Sequence, residues 1–338
     1  MRLFAVTAAA VCLAAPASAE IKYFGDWSAG CDNVLTCTAV GVAKEDGYPT
    51  AYVRIERSGA ADAAASVRLV VLSDAAEGSA MLAVTLNGKP FGKGPFAAAS
   101  DGTWTRADLP EADAAAFVAE VANATSLTVK RTDAAEPPAA VSLDGSSASL
   151  RLMDAEQKRD GGVTALVARG DKPASAVPAP PVMPVVAARQ LTAIEIAPAP
   201  PADLPQANAD DCGPASSEPM AYDLGDGARL WGVCVFAGAY NYGYAFYVAD
   251  KAGKVTPVKA PPGFDLDSSD LILVNPYAPE DSKTLYAFNK GRGLGDCGDS
   301  SAFAWDGKDL VLVRHKQMGA CRGVGEEDWI SLYNATVE

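Results

Sequence analysis

Three short stretches of the chain gather side chains that could do chemistry. The first is Lys290-Gly-Arg-Gly-Leu-Gly-Asp-Cys-Gly298. Closely spaced glycines let backbone amides converge on an anion, and Lys290 or Arg292 would add charge. A phosphate cradle normally opens a helix, whereas the next patterned element here is a strand, and the Gly-Lys-Ser/Thr ending of a P-loop is missing. A tight turn pinned by Cys297, with glycine supplying positive φ, is the plainer reading. The second stretch is Tyr240-Asn-Tyr-Gly-Tyr-Ala-Phe246. In a strand, Tyr240, Tyr242, Tyr244 and Phe246 share one face, forming either a stacking platform or the inner face of a sandwich. The third is His315, with Ser300, Ser301, Asp296 and Asp299 nearby in sequence. Nucleophilic catalysis needs a hydroxyl, a base and an orienting acid, but no Gly-x-Ser-x-Gly elbow is present. Flanked by Arg314 and Lys316, His315 reads as part of a solvated basic strand edge.

Composition narrows the chemistry. The chain has 338 residues and a net charge of -14. Binding to a nucleic-acid backbone needs clustered Lys and Arg, so no nucleic-acid partner is expected. One His and no Cys-x-x-Cys spacing exclude a His-rich metal site and a zinc knuckle, and no metal or cofactor is expected. The acidic groups Asp265/Asp267/Asp270 and Glu326-Glu327-Asp328 lack the calcium-loop spacing and read as solvated loops.

The first nineteen residues have the form of a secretory leader. Arg2 precedes an apolar run over 3–15, and Ala17-Ser-Ala19 offers the small residues that a signal peptidase reads. Cleavage near Ala19 predicts a periplasmic or secreted protein with no transmembrane segment in the mature chain. Loss of the leader removes Cys12 and leaves six cysteines, the even count of a disulfide framework. Chain proximity favours Cys31–Cys37, Cys212–Cys234 and Cys297–Cys321 among fifteen pairings.

The elements that must position these groups fall on two sides of a proline-rich window. Nine of 23 prolines lie in 171–209, which reads as a semi-rigid spacer with a short strand over 191–196. The N-terminal part, 20–170, alternates like a β-sandwich at 51–57, 66–72, 81–86 and 125–131, with a hairpin turn at Asn87-Gly88. A helix after Pro110 places Ala114, Phe117, Val118 and Val121 on one face. A second, capped by Ser146 or Ser147, turns Leu150 and Met153 inward. The C-terminal part, 210–338, reads as antiparallel all-β, with strands at 229–236, 242–249, 271–275, 284–289, 302–305, 309–314 and 329–337. The fold expected is therefore mainly β, in two β-rich domains joined by a Pro-rich linker.

Several segments also resemble a known family. Phe24-Gly-Asp-Trp-Ser-Ala-Gly-Cys31, Trp231-Gly-Val-Cys234, Gly238 to Tyr244, Lys290 to Gly298 and Cys321-Arg-Gly323 resemble the secreted bacterial domain of unknown function 1176. The opening is also similar, over a short span, to the invasion-associated locus B proteins. The first resemblance implies an exported protein of Gram-negative bacteria and implies no activity, cofactor or catalytic residue. The functional expectation is a non-enzymatic envelope protein that binds a glycan, a wall component or another protein. Its expected site is Tyr240, Tyr242, Tyr244, Lys290, Arg292 and Arg322, with Cys297–Cys321 drawing Arg322 towards the glycine loop. The alternative is a hydrolase using His315 with a nearby Ser and Asp.

Overall fold

A computed structural model describes residues 20–338 except 73–75, 195–197, 217, 262–263, 265–269 and 280–281. The leader, Ile196, Asp265 and Asp267 thus lie outside the described residues. The protein is mainly β. Its first eleven strands, from Lys22–Phe24 to Ala139–Val141, belong to one continuous antiparallel sheet. The expected N-terminal sandwich is therefore replaced by a single curled sheet, whose inner residues meet the two helices in one core.

Both helices follow from their sequence periodicity. Glu111–Val121 buries Ala114, Phe117, Val118 and Val121, the face expected from the 3.6-residue repeat. Ser146–Glu156 buries Leu150 and Met153, but neither Ser146 nor Ser147 caps it. Gly145 occupies the cap with φ 99°, pressed so close to the Phe24 carbonyl that a Cβ would lie 1.7 Å from it. Only glycine tolerates that approach, so Ser146 moves into the helix and its hydroxyl donates to the Val121 carbonyl at 3.3 Å. The Asn87-Gly88 turn is present as expected, both residues having positive φ between Gly78–Leu86 and Lys89–Pro90.

The sheet must also bury an arginine. Arg57, at the end of Thr50–Arg57, is 1% exposed on the helix side. Its guanidinium donates to Asp154 at 2.8 Å, to Gln157 at 2.7 Å and to the Thr164 carbonyl at 2.9 Å. Asp154 in turn accepts from the backbone N–H groups of Leu166 and Val167. Each buried charge thus has partners, which offsets its desolvation.

The C-terminal residues form two packed sheets. One contains Met220–Gly225, Ala228–Ala237 and Tyr242–Ala249 with shorter edge strands, and the other Thr284–Lys290, Gly298–Trp305, Leu310–Met318 and Ile330–Asn334. Leu230, Phe246, Leu273, Leu285 and Phe303 close the core between them. Two features depart from the all-antiparallel expectation. A short helical segment, Ala209–Ser216, carries Cys212, and Val185–Val186 pairs in parallel with Thr336–Val337. Within the proline-rich window, Thr192–Ala193 pairs with Asp223 and Tyr222. The three disulfides join the pairs that proximity favoured.

The outer face of the N-terminal sheet is covered as well. Val40, Val42, Tyr52 and Val70 share a core with Met318, Val324, Trp329 and Ile330. At its centre stands Asp328, fully buried rather than solvated as expected. It accepts the Tyr52 hydroxyl at 2.7 Å and Arg68 Nη1 at 2.8 Å, while Arg68 also grips Asp108. Burial, and then the negative charge of Asp328, push the Tyr52 phenol well above its ordinary value, so it stays a donor. Asp328→Ala would leave the Tyr52 hydroxyl without its acceptor and Arg68 and Arg54 without their buried counter-charge, at a cost of about 3 kcal/mol. Urea unfolding checks this: the midpoint should fall with an unchanged slope, more for Asp328→Ala than for Tyr52→Phe. Equal midpoints in wild type and Asp328→Ala would refute the role.

Candidate functional site

The glycine segment connects two neighbouring strands, Thr284–Lys290 and Gly298–Trp305. Gly291 N–H donates to the Cys297 carbonyl at 2.8 Å, pinching the loop shut at its base. A Cβ on Gly298 would lie 2.0 Å from the Asn289 carbonyl, which is why glycine is required there at φ 131°. Cys297 is joined to Cys321, so the loop is covalently tied to the segment leading to Asp328.

Arg292 holds the loop from the other side. Its Nε and Nη2 clasp the buried Asp296 at 2.7 and 2.5 Å, and its Nη1 reaches Asp46 at 2.6 Å. Asp296 also accepts from Gly323 N–H at 2.7 Å. Burial alone would raise the Asp296 carboxyl, but Arg292 and Gly323 outweigh it and hold the group below its ordinary range. Asp46 is lowered too, chiefly by its hydrogen bond to Arg292. Arg292 is therefore committed to two internal carboxylates and is not free for a ligand.

The remaining expected residues separate into exposed and buried groups. Tyr240 lies just before the strand Tyr242–Ala249 and meets the loop, 3.6 Å from the Cβ position of Gly293. Tyr240 and Tyr242 are both 39% exposed. Tyr244 and Phe246 turn into the core between the two C-terminal sheets, so the aromatic face serves packing inside and is open only at the rim. Lys290 Nζ lies 5.9 Å from the Phe288 ring centre and, among the described residues, makes no ion pair. Arg322 donates to the neighbouring Cys321 carbonyl and adds its charge beside Asp46.

Three asparagines seat this region. Asn241 bonds Asn289 and the Lys290 carbonyl, and Asn275 bonds Asn241 and the carbonyls of Tyr240 and Phe288. Asn289 then donates to Asp299 at 2.8 Å. Asn241 stands inside the aromatic segment and was open to notice in the sequence. Asp46, 246 positions from Arg292, gave no local signal.

His315 is not at a solvated edge. Its strand, Leu310–Met318, is central in its sheet, and the ring packs 5.3 Å from Phe264. Ser301 faces it directly across the strands, and Asp299 is two residues from Ser301. No hydrogen bond links His315, Ser301 and Asp299 to one another among the described residues, and Ser301 is 2% exposed. Burial lowers the His315 imidazole against a smaller opposing pull from Asp299, and burial raises the Asp299 carboxyl.

These features define a disulfide-stapled, mainly β protein with a clamped loop beside a tyrosine rim. No helix among the described residues is long and apolar enough to cross a membrane, which leaves strand-built spans untouched. The chain belongs to the family described as "Protein of unknown function (DUF1176)", whose profile matches residues 21–336. It is 28% identical over 350 residues to "Uncharacterized protein YpfG" of Escherichia coli (strain K12), covering 98% of this chain and 96% of that protein. No solved structure matches.

The clamp makes a pH-dependent prediction. Asp46 and Asp296 have depressed values, so their contribution is present above the ordinary carboxylate value of 3.8 and is lost as pH falls below it. Arg292→Ala should cost about 2 kcal/mol near pH 7, and the gap to wild type should be smaller near pH 3, on the way to the lowered values of the two carboxyls. Urea midpoints at the two pH values decide it, and a constant gap would contradict the clamp.

Proposed function

We propose that this is an exported, non-catalytic recognition protein of the bacterial envelope, which binds a glycan, a wall component or another protein. The observation that carries the reading is a rigid loop with exposed side chains around it. The Cys297–Cys321 bond, the Arg292 clamp and the asparagine cluster hold the loop, while Tyr240, Tyr242 and Leu294 stand open beside Lys290. A surface ordered before binding loses little entropy on association. Arg292 and the Gly291 and Gly295 amides are used internally, which favours contact through the rim over capture of an anion inside the loop.

The export half of the reading rests on the leader pattern and on six cysteines joined as three disulfides, the state expected of an oxidising compartment. In this reading 20–170 and 210–338 are two β-rich lobes. The residues of 171–209 are then a strap lying partly against the second lobe rather than a free tether. Intact-mass measurement of the periplasmic protein should give a chain beginning at Glu20, with six alkylatable thiols only after reduction. An uncut chain, or free thiols before reduction, would count against export.

For recognition, the mature protein should co-sediment with isolated wall material or be retained by envelope extracts. Tyr240→Ala with Tyr242→Ala should weaken that retention about tenfold while leaving thermal stability unchanged, because both rings are at the rim. Retention indifferent to both substitutions would remove the loop rim as the binding surface. Hydrolysis of the bound material, lost in Ser301→Ala or His315→Gln, would instead favour the enzymatic alternative.

A further inference from the structure

A second row of side chains crosses the four-stranded sheet away from the tyrosine rim. Tyr277 and Tyr286 exchange backbone hydrogen bonds, Tyr286 is paired with Ala302, and Ala302 with Arg314. Side chains in such register project from the same face at the strand spacing of about 4.8 Å. The Tyr277 and Tyr286 rings stack, with centres 5.3 Å apart and planes at 20°. Ala302 is small and buried, so Arg314 extends back across it and places its guanidinium 5.1 Å from the Tyr286 ring centre. The result is one exposed ring, one covered ring and a guanidinium in sequence.

Arg314 is the anomaly. Among the described residues it makes no ion pair and no hydrogen bond; its buried Nε is unpartnered like those of Arg54 and Arg106, but their other nitrogens reach carboxylates. Other half-buried or buried arginines are claimed: Arg57 by Asp154, Arg68 by Asp108 and Asp328, Arg106 by Asp101. Lys316, two residues along on the same face, is directed to the carbonyls of Glu326 and Glu327. Lys316 is lowered first by burial, against an opposing pull from Glu326, which it also faces at 3.9 Å; Arg314 adds to the lowering. A guanidinium stacked on an aromatic ring keeps its in-plane donors free for a planar oxyanion. At the other end of the row, Tyr277 is 54% exposed and offers an open ring face.

We propose that the row Tyr277–Tyr286–Arg314 is a binding site for an acidic glycan, one pyranose stacking on Tyr277 and a carboxylate of the chain meeting Arg314. An aromatic face suits the C–H face of a sugar ring, and the forked donors of Arg suit a carboxylate. The two features are separated across strands, which a chain of linked sugars can span and a single small acid cannot. The segment carrying Val186 and Ala188 packs beside Tyr286 and Ala302, and Asn334 beyond Arg314 is fixed to Asp32. The row is thus bordered rather than lying on an open plain. This site deepens the recognition reading but does not use the loop rim, so the two can fail separately.

Calorimetric titration of the mature protein with tetragalacturonate, and with cellotetraose as the neutral probe, tests the assignment. The acidic probe should bind about tenfold tighter than the neutral one. Arg314→Gln should erase that preference, Arg314→Lys should retain part of it, and Tyr277→Ala should weaken both probes. Where Arg314→Gln fails to fold, Tyr277→Ala, at an exposed ring, still decides. Tyr240→Ala with Tyr242→Ala should leave both affinities unchanged. No binding of the acidic probe, or binding indifferent to Tyr277 and Arg314, overturns the site. Binding lost only in the Tyr240 and Tyr242 variants would also overturn it, while leaving the loop-rim reading intact.

Discussion

The structure turns on one buried carboxylate. Asp328 lies 276 positions from Tyr52 and is fully enclosed, yet it fixes how the outer face of the N-terminal sheet meets the end of the chain. Without partners such a charge would be excluded from an apolar contact by its desolvation. With Tyr52 and Arg68 it becomes a registration point, because only one arrangement of the two surfaces satisfies both donors. The apolar residues around it, Val40, Val70, Val324 and Trp329, provide area but little directional information. The indole of Trp104, donating to the Gly323 carbonyl at 3.0 Å, adds a second directional contact at the same boundary. Stability and specificity of docking therefore come from different side chains.

That boundary also explains the rigidity of the loop. Residues 321–328 run from the Cys297–Cys321 bond to Asp328, so fixing Asp328 fixes one anchor of the loop. Gly323, on the same short path, donates to Asp296 and receives the Trp104 indole through its carbonyl. Arg292 completes the arrangement by bridging Asp296 to Asp46. Covalent, ionic and packing constraints thus converge on one short segment.

The sequence revealed what short-range physics controls. The apolar repeat of Glu111–Val121, the Asn87-Gly88 turn and the alternation in Tyr242–Ala249 each depend on neighbours a few residues apart. The disulfide pairs were readable for the same reason, since each closes a short loop. Long-range partners were not readable. Glu326-Glu327-Asp328 looks like any solvated acidic loop until Tyr52 and Arg68 are brought to it. Arg292 has Asp296 four residues away, but its second carboxylate, Asp46, comes from the other half of the chain. The Ser146 cap failed because a tertiary contact with the Phe24 carbonyl demanded glycine at 145. Tyr244 shares its face with Tyr242, and only the packing of one sheet on another decides which ring is open.

Charge use gives the remaining constraint on recognition. A chain with a net charge of -14 repels anions at long range, but salt screens that repulsion beyond about 8 Å at physiological ionic strength. Inside that distance the arrangement of individual groups matters more than their sum. Here several buried or half-buried cations are neutralised internally: Arg57, Arg68, Arg106 and Arg292 each meet at least one carboxylate. Such pairs hold the fold and leave little positive potential outside. A half-buried guanidinium that is stacked on a ring and makes no ion pair or hydrogen bond among the described residues is then a cost that folding alone does not offset. In the proposed site that arginine, next to the open face of Tyr277, is the group through which an acidic protein would meet an anion at short range.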